Sequence, residues 1–382
     1  MTKIRQPRWR EIEPLLQPVT WDRGAADPHD RTLGQIVRTP FELAEARRAA
    51  QQEADSAASS EDRETEQPAS GRHVTAEHVN RDDLAGGVRG VRPRVALLGA
   101  PSDTSVFGRR GAKEGPTAIR HALARLTSYD FSRGLDLAVL GLVDLGDVRV
   151  RLTDVMVTQE RLTRVVSFLA GNRLFPITLG GDHGLTYAAA RGVAEALPQG
   201  RELGLIVFDA HHDVREPYPD AAQTSALEDE GSTVPEIHSG TPFRRLVEQG
   251  VLRGERLTVL GVNPWRVSRY YAEWCAERGI TLLPAEALAY VDAQARGDVL
   301  AAAAQRAGSG GGFYVSVDLD VFDASFAPGV SAPSPAGLQP WVVLDAIERL
   351  VAEPACLGLD VMELAPAFDR DGRTANLAAA LL

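Results

Sequence analysis

The sequence predicts an α/β fold built on one doubly wound, mainly parallel sheet. Short, continuous apolar runs rich in β-branched residues alternate with helical patterns through residues 94–382, as expected for strands buried on both faces. Two of these runs end directly in polar residues: Leu203–Phe208 in carboxylates and imidazoles, and Phe313–Val317 in two carboxylates. Open α/β sheets bind ligands beyond the carboxyl ends of their strands, so we expect a site there.

The overall composition limits the range of functions. The chain has 382 residues, 44% of them hydrophobic, which is ample for a core, and its formal net charge is −11. This acidity argues against a nucleic-acid partner. Two cysteines make no disulfide framework, and no apolar run approaches the roughly 18 residues of a membrane span. We therefore expect a soluble, cytoplasmic protein that acts on a small molecule without a membrane partner.

Composition divides the chain into three parts. Residues 1–41 carry Trp9 and Trp21 among several prolines and are predicted to form an ordered N-terminal arm. Residues 42–93 begin with a helix-like stretch, but most of the segment is polar and Ser/Glu/Arg-rich, which predicts a flexible insert. Residues 94–382 hold the alternating α/β pattern and are predicted to be the catalytic domain.

The predicted strands of this domain are short apolar runs that end in glycine or polar residues. A strand that is covered on both faces has apolar residues at nearly every position, so it forms an unbroken apolar run in the sequence. In chain order, the predicted strands are 95–99, 135–145, 175–179, 203–208, 257–260, 280–283, 312–317 and 357–361.

Helical patterns separate these strands. The first helix follows a Gly-rich loop and carries Pro116 near its first turn, where the fixed φ of proline suits a helix. That loop lacks the spacing of known nucleotide-phosphate loops. Val155–Leu169 is amphipathic, and residues 214–240 form a long loop, which is often functional. The remaining predicted helices are 185–197, 241–249, 267–278, 285–306 and 340–351.

Six residues at predicted strand ends are candidate metal ligands: His183, Asp209, His211, Asp213, Asp318 and Asp320. In an extended chain, Asp209, His211 and Asp213 would point to one side, and His212 to the other. Four carboxylates balance two dications, neutral imidazoles complete the shells, and the hardness of the ligands favours Mn²⁺. The constellation therefore predicts two Mn²⁺ ions.

Two such ions support a defined chemistry. At a separation of about 3.5–4 Å they can share a water and lower its pKa, which yields a hydroxide near neutral pH. The hydroxide would attack an electrophilic carbon, and a nearby carboxylate or imidazole would protonate the leaving amine. Spacing alone therefore predicts metal-assisted hydrolysis of an unspecified bond.

Four separated motifs resemble those of the ureohydrolase family, which includes arginase, agmatinase and formimidoylglutamase. They are Gly180-Gly-Asp-His183, Asp209-Ala-His-His-Asp213, Ser316-Val-Asp-Leu-Asp320 and Met362-Glu-Leu-Ala-Pro366. The resemblance covers about residues 94–382 and implies a three-layer α/β/α, arginase-like fold. It also implies a homo-oligomer.

The resemblance assigns roles to the candidate ligands. It implies a binuclear manganese site in which Asp209 and Asp318 bridge the ions and act in catalysis. The other four ligands would complete the coordination of the ions in pairs. His183 and Asp213 would bind one ion, and His211 and Asp320 the other. Glu363 matches the family's substrate-binding glutamate, and we expect it to contact the reacting group.

One segment resembles formimidoylglutamases within the family. Arginases and agmatinases carry a histidine directly before a Gly-x-Pro, whereas this chain has Ser239-Gly-Thr-Pro-Phe243, with His238 one residue earlier. The segments that agree with this subfamily are 21–37, 108–116, 327–333 and 369–375. The resemblance implies hydrolysis of N-formimidoyl-L-glutamate to L-glutamate and formamide, a step of histidine degradation.

The carboxylates of that substrate would need cationic partners. Arg215 directly follows the central motif and is favoured, and Arg109 lies in a loop typical of the subfamily. The expected substrate-binding residues are Arg215, Ser239, His238, Arg109 and Glu363.

Two alternatives remain open at this point. His238 could restore the missing histidine, and the loop with Glu228 and Glu230 is acidic, which would suit a cationic guanidino substrate and release of urea. A non-catalytic ureohydrolase-like binding protein is the third hypothesis, and a missing metal ligand would favour it.

Overall fold

A nine-stranded sheet forms the centre of the computed structural model, which describes residues 7–23, 31–40, 42–43, 94–216 and 237–382. In chain order, the strands are β1 (Leu16–Gln17), β2 (Val95–Gly99), β3 (Tyr129–Asp130), β4 (Leu135–Asp136), β5 (Leu142–Val148), β6 (Phe175–Leu179), β7 (Leu203–Phe208), β8 (Leu252–Val262), β9 (Thr281–Pro284), β10 (Phe313–Asp318) and β11 (Cys356–Met362). The central sheet has the order β1-β5-β2-β6-β11-β10-β7-β8-β9, and β3 and β4 form a separate small sheet.

The sheet is parallel except at one edge. Only β1, from the N-terminal arm, pairs antiparallel, through Leu16 opposite Val148 of β5. All other neighbours in the large sheet run parallel, which places their carboxyl ends at one edge. The prediction of a doubly wound, mainly parallel sheet is therefore confirmed.

Helices cover both faces of the sheet. In chain order, they are α1 (Trp9–Ile12), α2 (Leu33–Ile36), α3 (Gly115–Leu123), α4 (Val155–Gly171), α5 (Thr186–Ala196), α6 (Pro242–Glu248), α7 (Arg269–Glu277), α8 (Glu286–Ala289), α9 (Ala293–Gly308), α10 (Pro340–Val351) and α11 (Arg373–Ala380). One core cluster contains buried residues of α4, α5, α6 and α7, and the other contains residues of α3, α9, α10 and α11. These layers give the expected three-layer α/β/α architecture.

Strand β7 shows why this sequence forms a central strand. All six of its residues are buried, and the side chains from Leu205 to Phe208 alternate between the two core clusters. Leu205 and Val207 pack on one face of the sheet, and Ile206 and Phe208 on the other. A strand buried on both faces needs apolar residues at every position, which explains the unbroken run in the sequence.

Two predicted elements were wrong in detail. The predicted strand 135–145 is divided, because Gly141 takes a left-handed conformation (φ 61°) and separates a 3₁₀ turn from β5. The predicted helix 285–306 is two helices, because the carboxylate of Asp292 caps the second by accepting from Ala295 N at 2.8 Å. Both breaks come from local backbone chemistry that the apolar pattern does not record.

The described parts of the N-terminal arm pack against the folded body. Trp21 Nε1 donates to Asp144 Oδ2 at 2.8 Å, and Arg120 holds the same buried carboxylate through Nε at 2.7 Å. The predicted insert 42–93 lies outside the described residues, apart from 42 and 43. No helix in the described ranges is both long enough and apolar enough to cross a bilayer.

Candidate metal centre

The six predicted ligands converge at the carboxyl ends of β6, β7 and β10. Their ligand atoms form two groups, each with all atoms within 4.8 Å of one another. The first group contains His183, Asp209, Asp213 and Asp318, and the second contains Asp209, His211 and Asp320. Asp209 belongs to both groups, as its predicted bridging role requires, whereas Asp318 belongs to the first group alone.

Tight turns, rather than continued strands, bring these side chains together. Strand β7 ends at Phe208, and Asp213 has φ +41°, so the extended alternation expected over 209–213 is wrong. Asp209 Oδ1 instead accepts from His211 N at 2.6 Å. Asp320 likewise lies in a 3₁₀ turn, with its backbone N–H donating to Asp318 Oδ1 at 2.8 Å. Short side-chain-to-backbone bonds of this kind fold the chain back toward the site.

His183 is positioned by the loop that precedes it. The buried carboxylate of Asp182 accepts from Ser105 Oγ at 2.7 Å and from Gly184 N at 3.1 Å. A Cβ on Gly181 would come within 1.8 Å of Ser102 O, so only glycine permits this close approach. The Gly-Gly-Asp-His motif therefore fixes the backbone from which the imidazole projects.

The donor geometry fits a cation. His183 Nδ1 lies 3.0 Å from Asp213 Oδ2 and 3.2 Å from the Oδ2 atoms of Asp209 and Asp318. Nevertheless, Nδ1 and Asp209 Oδ2 are buried and make no hydrogen bond to any described residue. Buried polar atoms are normally satisfied, and donors that converge without bonding one another are typical of metal ligands.

The second nitrogen of His183 sets its tautomer. Nε2 lies 3.0 Å from Ser316 Oγ, which donates to Asp360 Oδ1 at 2.5 Å. Because the serine proton is directed to Asp360, Nε2 carries a proton and donates to Ser316. With a cation in place of its second proton, Nδ1 would be the electron-pair donor, which is the arrangement found in metal-binding histidines.

The charges of the site need compensation. Burial, with the neighbouring Asp209 charge, raises the pKa of Asp213 to about 6. Burial and Asp320 raise the pKa of Asp318 well above its usual range. Burial alone would lower the pKa of His183, but the surrounding carboxylates raise it well above the normal value. Crowded carboxylates of this kind ionise fully only beside added positive charge, which two dications would supply.

His212 lies outside both groups, as the sequence predicts. Its ring packs on Tyr271 with centroids 4.7 Å apart, and its Nδ1 accepts from Val214 N at 3.1 Å. Burial, together with Arg215, lowers the pKa of His212 to about 4. A neutral, stacked imidazole supports the loop instead of offering a ligand atom.

Arg215 lies between aromatic rings near the metal groups. Its guanidinium carbon is 5.2 Å from the Phe107 centroid and 5.9 Å from that of Tyr271, within or near cation–π range. Within the part of the chain that the structure describes, this guanidinium makes no ion pair with a carboxylate. The ring of His238 packs against the ring of Phe107, with the two centroids 5.0 Å apart. Burial, then Arg215, lowers the pKa of His238.

Ser239 and Arg109, both expected to bind substrate, have structural contacts. Ser239 is buried, and its Oγ accepts from Phe107 N at 3.0 Å. Arg109 Nη2 donates to Val330 O at 2.6 Å and to Pro328 O at 3.1 Å. These contacts favour Arg215 over Arg109 as the cation available to a substrate.

Glu363 adjoins the first metal group. Its Oε1 accepts from His183 N at 2.7 Å, and Ser331 Oγ donates to its Oε2. Burial, together with Asp182, raises the pKa of Glu363 to about 8. Ser331 lies in segment 327–333, which resembles the subfamily, but its residue type alone indicates no role. The acidic loop with Glu228 and Glu230 lies outside the described residues.

Comparisons with known proteins agree with this geometry. The sequence model of the arginase family matches residues 93–382. The chain is 34% identical over 288 residues to a formimidoylglutamase of Halalkalibacterium halodurans, an alignment covering 74% of this chain and 83% of the relative. It is also 32% identical over 288 residues to the mitochondrial agmatinase of Gallus gallus. That alignment covers 75% of this chain and 78% of the relative.

A solved structure is also similar. The formiminoglutamase of Trypanosoma cruzi with Mn²⁺ superposes with a TM-score of 0.65 at 25% sequence identity. The superposition covers 78% of this chain and 94% of that one. Fold, donor set and relatives therefore all indicate a metal-dependent hydrolase.

Proposed function

The chain belongs to the arginase family of hydrolases, and on that premise we propose that it hydrolyses N-formimidoyl-L-glutamate to L-glutamate and formamide. The proposed cofactor is a pair of Mn²⁺ ions, as in the similar T. cruzi structure. The six ligands named above would hold them, with Asp209 shared between the two. When bound, the ions supply Lewis-acid activation of water.

The guanidinium of Arg215 is the observation that carries the choice of substrate. It stands two residues beyond Asp213, and among the described residues it contacts aromatic faces instead of carboxylates. A guanidinium that has no carboxylate partner among the described residues favours an anionic ligand and disfavours a cationic one. N-formimidoyl-L-glutamate carries two carboxylates, whereas agmatine carries none.

The remaining residues have complementary roles in this proposal. Glu363 accepts a hydrogen bond from the amidine nitrogen and orients the formimidoyl carbon toward the metal groups. Ser239 anchors Phe107 by accepting from its backbone N–H, and Phe107 in turn packs against Arg215. His238 closes the same aromatic cluster.

A product assay tests the proposal. Protein reconstituted with Mn²⁺ is incubated separately with N-formimidoyl-L-glutamate, agmatine and L-arginine, and formamide and urea are measured. We expect formamide from the first substrate and little urea from the others. Urea from a guanidino compound, with no formamide from N-formimidoyl-L-glutamate, would overturn the proposal.

A substitution then tests the role of Arg215. Arg215→Met keeps a long apolar side chain between the rings but removes the charge. We expect KM for N-formimidoyl-L-glutamate to rise about 10-fold or more, as when a charge-assisted contact is lost. Arg164→Met, at an exposed position on α4, is the matched control. An unchanged KM in Arg215→Met would contradict the assignment.

The second candidate is an amidinohydrolase of a guanidino compound, which releases urea. It is favoured by the 32% identity to the agmatinase of Gallus gallus and by His238, one position from the histidine typical of agmatinases. The same product assay separates the two candidates.

A further inference from the structure

Glu363 is held by the protein through both of its carboxylate oxygens. The backbone N–H of His183 donates to Oε1 at 2.7 Å, and the hydroxyl of Ser331 donates to Oε2. Glu363 is only 2% exposed and Ser331 4% exposed. Glu363 also has a left-handed backbone, with φ +68°, which directs its side chain to this pocket. The carboxylate therefore has a fixed orientation before any substrate binds.

The loop that carries Ser331 is itself fixed by contacts that involve no ligand. Arg109 Nη2 holds the carbonyls of Pro328 and Val330, and Arg109 N donates to Ser331 O at 3.0 Å. The guanidinium also packs on the face of Phe368, 4.0 Å from its centroid. Arg109 therefore holds the loop in place and keeps the hydroxyl of Ser331 against Glu363.

The backbone leaves this loop no room to move inward. A Cβ on Gly108 would lie 2.6 Å from Ser331 O, so the two segments are already in close contact. Val330 forms a bridge with Leu364, next to Glu363 in the chain. The hydroxyl of Ser331 is thus a built-in donor to Oε2.

This arrangement limits what Glu363 can accept from a substrate. A carboxylate offers about four lone-pair positions, and one on each oxygen already has a protein donor. A guanidinium presents two terminal NH₂ groups and binds carboxylates as a fork that uses both oxygens. A formamidine has hydrogen on its central carbon in place of one of those NH₂ groups, so it presents a single terminal nitrogen.

We propose that Ser331 is a specificity-determining positioning residue: by taking one of the two acceptor positions of Glu363 Oε2, it weakens the two-oxygen fork that a guanidinium uses and favours a formamidine. The inference rests on the proposed function, in which Glu363 faces the reacting group. Arg109 supports the same selection through the loop and does not contact the substrate.

The test uses two substrates that differ only at the amidine carbon. N-formimidoyl-L-glutamate and N-carbamimidoyl-L-glutamate share their carboxylates, so the contribution of Arg215 cancels in the comparison. We measure kcat/KM for each, from formamide and urea release, in the wild type and in Ser331→Ala. We expect the carbamimidoyl-to-formimidoyl ratio to rise about 10-fold in the variant, because Oε2 regains the acceptor position that Ser331 takes in the wild type.

Three further variants keep the test decisive. Ser334→Ala removes another fully buried hydroxyl of the same loop, one that bonds Asn263, and the ratio should stay at the wild-type value. Ser331→Thr retains the donor and should return the ratio toward the wild type. Arg109→Met releases the loop and should raise the ratio in the same direction, even if Ser331→Ala proves unstable.

The outcomes for the inference and for the proposed function are separate. A wild-type protein that releases urea but no formamide would overturn the proposed function. A wild type that prefers the formamidine, with the same ratio in both Ser331→Ala and Arg109→Met, would overturn the role of Ser331 alone.

Discussion

Replacing Ser316 with alanine should weaken the binding of one metal ion and leave the other unchanged. Ser316 Oγ lies 3.0 Å from His183 Nε2 and donates to the buried carboxylate of Asp360. Without the hydroxyl, the imidazole loses the partner that fixes both its tautomer and its orientation. His183 Nδ1 would then no longer be held as an unprotonated donor toward the first metal group.

The magnitude follows from the position of Ser316 behind a ligand. Removing such a hydrogen-bond partner typically lowers metal affinity by about 10–100-fold. Because each tenfold change is about 1.4 kcal/mol, the expected loss is about 1.4–2.7 kcal/mol of binding free energy. His183 belongs to the first group alone, so the group of Asp209, His211 and Asp320 should retain its affinity.

Isothermal titration calorimetry of the metal-free protein with Mn²⁺ measures the affinity of each site directly. The wild type should bind two ions, and Ser316→Ala should show one weakened site and one unchanged site. Thr258→Val is the matched control, because Thr258 is a buried hydroxyl residue of β8 whose Oγ1 bonds to no described residue. Equal weakening of both sites, or of neither, would refute the assignment of His183 to a single ion.

Three further predictions follow from the same geometry. Arg120→Met should lower the free energy of unfolding, measured in urea, by about 3–5 kcal/mol, because Asp144 is then buried without its cation. Arg125→Met, at an exposed position, is the control and should change that free energy little. Chelation should lower the melting temperature, and Mn²⁺ at a hundred times its Kd should restore about 2.7 kcal/mol of stability for each ion bound. A melting temperature unaffected by chelator would contradict the site. His212→Ala should retain two bound ions by elemental analysis, because its ring contacts Tyr271, and loss of an ion would refute this.

The sheet and the ligand types could be predicted because local sequence determines them. A central strand such as β7 needs an apolar residue at every position, and the run Leu203–Phe208 shows this without any tertiary information. The ligands directly follow such strands, so their convergence could also be predicted. The backbone conformation that brings the ligands together could not be predicted. Asp213 reaches the site through a left-handed backbone, and Asp320 through a 3₁₀ turn.

Partners distant in the chain could not be predicted in the same way. Ser316 meets His183 across 133 positions, and Arg109 meets Val330 across 221. No local pattern marks such pairs, since each depends on how separate loops pack at the edge of the sheet. For the same reason the sequence assigned Arg109 to the substrate, although its Nη2 bonds the backbone of the Ser331 loop.

Anomalous diffraction at the manganese absorption edge, from crystals grown with Mn²⁺, tests the binuclear centre most directly. The structure predicts two peaks with a shared ligand, Asp209. One should lie among His183, Asp209, Asp213 and Asp318, and the other among Asp209, His211 and Asp320. A single peak, or peaks away from these side chains, would contradict the account.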